Sequence, residues 1–256
     1  MDMNLKGRNA VILGGTRGIG RAIAETFAAE GANVAVCARN ADQVKEAVST
    51  LSARGVMATG AAVDVTDGAA VRAWVDTVAG ALGGVDILVS NAGAMAQGGD
   101  PASWEQNFRL DVLAAVNAFD AAKPHLLQSA AAKGDASLVL ISSVSAAETD
   151  TAGSYGPIKA ALIHWAKGVA RQYASKGLRA NVVSPGAIYF EGGVWNMIET
   201  NMPDMFKGML ARIPLGRFGA PQEIANAAVF LASPASSYTT GVNLVVDGAT
   251  SRRVNF

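Results

Sequence analysis

A tyrosine and a lysine four residues apart, Tyr155 and Lys159 in GSYGPIKAAL, share one face of a helix if a helix runs through them. So placed, they can move a proton. A phenol is a weak acid, and an ammonium one helical turn away favours its phenolate, so the pair suits proton exchange with a substrate oxygen. Such chemistry also needs a donor to polarise that oxygen. Ser142 and Ser143 in ISSV supply hydroxyls just upstream, and strand alternation lets only one of them face a ligand squarely. Pro157 falls in the first helical turn, where its missing N–H costs nothing, so it marks a helix starting near Ser154. Spacing alone does not separate this device from a surface pair; a cofactor beside it would.

A cofactor cradle stands near the chain's start. VILGGTRGIGRAIA sets Gly14, Gly18 and Gly20 between a first strand and a first helix. Gly14 permits a sharp exit, and Gly18 and Gly20 are expected to keep Cβ atoms away from a pyrophosphate at the helix N-terminus. Thr16, Arg17 and Ile19 complete the loop as contact candidates. The second strand ends in VCARN. A cofactor with free ribose hydroxyls wants a carboxylate there; Ala38 followed by Arg39, with Arg17 as a second cation, favours a 2′-phosphate and hence NADP(H) over NAD(H). Asp64 and Val65 in VDVTD are placed to flank adenine, although an aspartate there also suits capping of its own turn. In LVSNAGA, Asn91, Ala92 and Gly93 let the backbone pass close to the adenosine side, with the Asn91 amide tying neighbouring strand ends.

These residues need a frame, and apolar patterning predicts one. Strands are expected near 9–13, 33–38, 58–63, 85–90, 137–142, 178–183 and 242–246, and helices near 18–30, 41–53, 67–81, 102–130, 154–176 and 221–232. Strands apolar throughout need cover on both faces, so the fold class is α/β: a Rossmann-type, doubly wound, mostly parallel seven-stranded sheet with helices on both faces. No linker or repeat divides residues 1–256, which read as a single domain. Residues 187–214 carry Trp195, Met197, Ile198, Met202, Met205, Phe206 and Met209 between glycines and prolines. That bulk predicts a partly mobile cover over an apolar substrate pocket, with an extra packed helix pair as the alternative.

In this order, the glycine loop, NAG, the serine-bearing fifth strand, YGPIK and SPGAI resemble the short-chain dehydrogenase/reductase family over residues 5–250, with similarity to 3-oxoacyl-[acyl-carrier-protein] reductases and their relatives. The resemblance implies that Tyr155 is the acid/base, that Lys159 orients the ribose and eases the tyrosine's ionisation, and that a serine holds the substrate oxygen. Family spacing points to Ser142 and the local pattern ISSV to Ser143; we favour Ser143. Counting seven residues on from Trp104 reaches Asp111 where the family has an asparagine. In relatives that residue sits at a helix irregularity whose carbonyl holds a water linked to the lysine. Asp111 would keep that role and add a charge near Lys159. Asn107 and Asn117 take its place only if the helix register slips. Pro185 and Gly186 are expected beneath the nicotinamide, Ile188 at its carboxamide, and Phe190 where relatives often carry a threonine.

Composition excludes other classes. With 21 basic and 21 acidic side chains the chain has no net charge to favour nucleic acid or an anionic membrane. Cys37, the lone cysteine, reads as a small buried hydrophobe. His125 and His164 have no ligand cluster around them, so no metal is expected. Neither a secretory leader nor a membrane-spanning stretch is discernible, which predicts a cytoplasmic protein. Surplus apolar residues on the long fifth and sixth helical segments suggest pairing between subunits; the resemblance implies a homotetramer, a homodimer is the alternative, and the SRRVNF tail is a candidate contact. The expected activity is hydride transfer between NADP(H) and a small-molecule carbonyl or secondary alcohol bearing an apolar or acyl group. NAD(H)-linked alcohol oxidation and a non-catalytic NADP(H)-binding sensor are the alternatives.

Overall fold

The computed structural model describes residues 2–149 and 152–254. The expected tail contact rests in part on Asn255 and Phe256, which lie outside the described residues. Seven strands form among the described residues: β1 (Asn9–Leu13), β2 (Asn33–Ala38), β3 (Ala58–Ala62), β4 (Ile87–Ser90), β5 (Ala136–Ile141), β6 (Leu178–Pro185) and β7 (Asn243–Val246). They pair in parallel in the order β3-β2-β1-β4-β5-β6-β7. The inner strands are buried nearly from end to end, whereas the edge strands β3 and β7 are largely half-buried. Such burial is what uniformly apolar strands require.

Nine α-helices are assigned among the described residues: α1 (Gly18–Ala29), α2 (Ala41–Ser52), α3 (Gly68–Leu82), α4 (Pro101–Asn107), α5 (Ala114–Lys133), α6 (Tyr155–Tyr173), α7 (Val194–Asn201), α8 (Pro203–Arg212) and α9 (Pro221–Ala232). Alternation along β1 divides the core. Ala10 and Ile12 pack with α1, α2 and α9 on one face, and Val11 and Leu13 with α3, α5 and α6 on the other. Full burial of a side chain such as Phe27 or Leu138 contributes about 1.5–3 kcal/mol, so both layers hold the strand ends in place.

Two segments carry detail that apolar patterning did not give. The helix foreseen over 102–130 is split: α4 runs into a π-helical turn (Phe108–Leu113) before α5 begins. Residues 187–214 form two helices, α7 and α8, and α8 buries none of its residues. The winding reverses between β1 and β4, and their carboxyl ends open a crevice at that switch point. Among the described residues no helix is long and apolar enough to cross a membrane.

Candidate active site

A cleft of about 540 Å³ follows the carboxyl edge of the sheet. Of the residues expected there, Gly14, Thr16, Arg17, Ile19, Arg39, Val65, Asn91, Ala92, Gly93, Ser142, Ser143, Tyr155, Lys159, Pro185, Gly186 and Ile188 line it. Asn91 straddles the switch point, its Nδ2 donating to Gly14 O at 3.0 Å, as its place after β4 suggested. Arg17 and Arg39 are exposed, and neither guanidinium forms a hydrogen bond or ion pair among the described residues.

Gly18, Gly20, Asp64 and Asp111 do not line the cleft. A Cβ on Gly20 would fall 2.0 Å from Gly14 O. Gly20 therefore lets α1 pack onto the glycine turn, a packing need that stands beside the role expected of it. Gly18 lies beneath the ring of Phe190. The Asp64 carboxylate accepts from Thr66 N at 2.9 Å and Thr66 Oγ1 at 2.7 Å. These bonds hold its ionisation below the usual carboxylate range, with a smaller contribution from the Arg39 charge. Asp64 thus caps its own turn, and Val65 reaches the cleft.

At the other end α6 begins at Tyr155, with Ser154 before it and Pro157 in its first turn. Tyr155 and Lys159 both face the cleft, and Lys159 Nζ lies 5.7 Å from the centre of the Tyr155 ring. Lys159 is 4% exposed; its Nζ donates to Ile141 O at 3.1 Å and stands 2.7 Å from Asp111 Oδ1. The contact is an ion pair by charge and distance, although it lacks hydrogen-bond alignment, and Oδ1 has no other partner among the described residues. Asp111, 1% exposed within the π-helical turn, also accepts through Oδ2 from Ala94 N at 3.0 Å. A Cβ on Gly93 would lie 2.9 Å from Asp111 Oδ1 and 3.3 Å from Lys159 Nζ, so NAG passes over the pair only because that residue is glycine. Burial pushes the Lys159 ammonium toward deprotonation; the charges of Tyr155 and Asp111 more than offset it, and its pKa rises above the ordinary lysine value.

The two serines separate by their partners. Ser142 Oγ donates to Lys159 O at 2.8 Å, fixing β5 to α6. Ser143 Oγ accepts from Ser145 N at 3.1 Å, an arrangement that leaves its hydroxyl proton free to turn into the cleft. Asn107, the register-slip alternative to Asp111, is wholly buried. It donates to Ala96 O at 2.8 Å and Ser154 Oγ at 2.9 Å, binding the segment after NAG to the start of α6.

Several lining residues were not foreseen. Asn40 and Gln43 had a readable signal: Asn40 caps α2 by accepting from Gln43 N at 3.0 Å directly after Arg39. Met95, with φ of 59°, and Leu110, in the π-helical turn, had none. Val194 and Trp195 bring the start of α7 to the cleft, whereas Met197, Met202 and Met205 are exposed. Cys37 is fully buried, and burial pushes its thiol up to about 12. Among the described residues no group of three or more His, Cys, Asp or Glu side chains is arranged to hold a metal ion. His125 lies 3.7 Å from Asp76.

Known proteins share this frame. A family model described as enoyl-(acyl carrier protein) reductase matches residues 14–250. Isoepoxydon dehydrogenase of Aspergillus clavatus is 38% identical over 250 residues, which make up 96% of this chain and 95% of that protein. The crystal structure of L-sorbose reductase from Gluconobacter frateurii, complexed with NADPH and L-sorbose, superposes with a TM-score of 0.89 at 32% identity, covering 99% of this chain and 100% of that one. A 7α-hydroxysteroid dehydrogenase complexed with NADH and 7-oxo glycochenodeoxycholic acid gives 0.90 at 32% identity, covering 99% and 98%. Likeness at this identity, running through every element that frames the cleft, shows that the chain belongs to the short-chain dehydrogenase/reductase family of oxidoreductases.

Proposed function

We propose that this oxidoreductase moves a hydride between NADP(H) and a ketone or secondary alcohol, with Tyr155 as acid/base, Ser143 as the donor to the substrate oxygen, and Lys159, positioned by Asp111, as the cation between coenzyme and phenol. The observation that carries this reading is the convergence of Ser143, Tyr155 and a buried, charge-paired Lys159 at one end of a dinucleotide-sized cleft. The coenzyme, when bound, supplies the hydride for reduction and accepts it in oxidation. The protein's part is electrostatic and protonic. Ser143 stabilises charge growing on the substrate oxygen, Tyr155 delivers the proton, and the Lys159 ammonium favours the phenolate left behind. In oxidation each role reverses. Ser142, its hydroxyl already engaged with α6, is assigned to the frame.

At the adenosine end, Arg17 and Arg39 offer two unpaired guanidinium groups where β2 ends without a carboxylate, which supports a 2′-phosphate and thus NADP(H). The sorbose reductase complex with NADPH is consistent with this; the hydroxysteroid dehydrogenase complex holds NADH, so the arginines carry the distinction. Val65, Asn91, Ala92 and Gly93 would border the adenosine side, and Pro185, Gly186 and Ile188 the nicotinamide. Asp64 is left out of the coenzyme set because its carboxylate serves its own turn.

For the substrate, Met95, Leu110, Val194 and Trp195 supply apolar walls, and α7–α8 is proposed as the cover. An apolar or acyl-bearing carbonyl compound suits them. A cytoplasmic homotetramer belongs to the same proposal. The test is a panel of ketones and secondary alcohols assayed with both reduced and both oxidised coenzymes, using wild type, Arg39→Ala and Arg17→Ala/Arg39→Ala. NADPH preference should fall by about tenfold or more with Arg39→Ala, the scale of one lost charge-assisted contact. A preference surviving without either arginine would remove the assigned cause. Coenzyme binding without turnover on any substrate would favour the sensor reading.

A further inference from the structure

Phe190 stands where relatives often carry a threonine, and its ring bridges two parts of the cleft. A Cβ on Gly18 would come within 2.5 Å of its Cζ and 2.7 Å of its Cε2; one on Gly193 would come within 3.0 Å of Cε1 and Cζ. Both contacts are tight because both partners are glycine. Gly18 is the first residue of α1, and Arg17 at the N-cap makes no side-chain cap hydrogen bond. The first N–H groups of α1 are therefore available to an outside anion, the role that a glycine turn and a helix N-terminus serve for a diphosphate. An apolar ring offers them no acceptor. Gly193 is the N-cap of α7, and Val194 and Trp195 follow it into the cleft. Gly193 N also donates to Phe190 O at 3.0 Å, so the ring's own backbone is tied to the start of that helix.

We infer that Phe190 sets the affinity of the cleft for the dinucleotide coenzyme by guarding the place of its diphosphate. Its ring and the coenzyme diphosphate contend for the surface of Gly18, so binding of the whole dinucleotide displaces the ring and, through Gly193, shifts the start of α7. The inference rests on the NADP(H) reading above. Two classes of ligand should then behave differently. Adenosine 2′-monophosphate, which carries the 2′-phosphate but no phosphate on its 5′-oxygen, needs only the Arg17 and Arg39 end and leaves the ring in place. NADP+ must move it. The ring thus weakens the dinucleotide selectively, a cost a smaller side chain would not impose.

The test is calorimetric titration of NADP+ and adenosine 2′-monophosphate into wild type, Phe190→Ala and Phe190→Leu, reading the ratio of the two dissociation constants. Phe190→Ala should tighten NADP+ by about tenfold relative to the 2′-monophosphate, equivalent to ~1.4 kcal/mol. Phe190→Leu, which keeps apolar contact with less reach, should change the ratio in the same direction by less, and it supplies the measurement if the alanine variant does not fold. An unchanged ratio, or selective weakening of NADP+, would overturn the role given to Phe190 and leave the coenzyme reading intact. Failure of wild type to bind either ligand would instead overturn the coenzyme reading, and this inference with it.

Discussion

Lys159 is kept charged by its surroundings, and the residue that most alters those surroundings is Asp111. Its carboxylate meets the ammonium at 2.7 Å with both side chains almost fully buried, so removing it strands a buried positive charge. Asp111→Ala should cost about 3–5 kcal/mol in denaturant unfolding at neutral pH. The raised Lys159 pKa fixes the sign: the pair's contribution is fully present below the ordinary lysine value of 10.5 and is lost as pH rises through the folded-state value, so the deficit should shrink in strong alkali. Asp111→Asn separates position from charge. It keeps an oxygen for Ala94 N while withdrawing the negative charge, leaving more of the ammonium's field on Tyr155. The pH–rate profile for alcohol oxidation should then move to lower pH; an unmoved profile would mean that the carboxylate acts only as a brace. Asp111 was legible as an odd residue at a known position, but the direction of its side chain was not, because that depends on the π-helical turn that aims it at Lys159. Asp64 was hard to read for a local reason: a turn closed by Thr66 two residues on engages its Oδ1.

Among the elements, periodicity located the strands and the long helices, because burial on both faces leaves a nearly continuous apolar signal. Breaks within elements were harder to read. Apolar periodicity in WEQNFRLDVLAAV does not mark the π-helical turn, since widening the helix by one residue leaves the spacing almost unchanged; only the resemblance pointed to an irregularity at Asp111. The floor of the cleft depends on a similarly hidden joint. Tyr189 N donates to Gly219 O at 2.8 Å and Gly219 N to Ala187 O at 3.0 Å, pinning the segment that carries Ile188 to the loop before α9. Glu223 clamps that loop, accepting from Ala220 N at 2.8 Å and from both terminal nitrogens of Arg217. The Arg217 guanidinium, aided by the Ala220 N–H, brings the Glu223 carboxyl down to about 2. A lowered carboxyl stabilises the fold above its ordinary value and loses that contribution as pH falls through its folded value. The difference in melting temperature between wild type and Glu223→Gln should therefore be largest near neutrality and close as pH falls from about 4.5 toward 2. A pH-independent difference would deny the clamp its charge.

At the scale of the whole molecule, α/β architecture and the placement of the cleft follow from the strand–helix alternation, because a doubly wound sheet leaves its crevice where the winding reverses. Assembly is less directly written. Trp104, Phe108 and Leu113 are 39%, 44% and 37% exposed, which offers the proposed assembly an apolar contact. Spacings of four and, across the π-helical turn, five residues keep them near one side. Sedimentation velocity should find the proposed tetramer for wild type and smaller species for Phe108→Glu; a monomeric wild type would reject it. The reaction itself rests on a narrower claim, that the phenol beside the buried ammonium passes the proton. Tyr155→Phe keeps the ring and removes only the hydroxyl, so measuring NADPH binding and turnover on the same sample tests that claim most directly. The account predicts binding within about threefold of wild type and turnover lower by at least about 10²-fold, the scale of general acid–base catalysis, whereas turnover equal to wild type would contradict it.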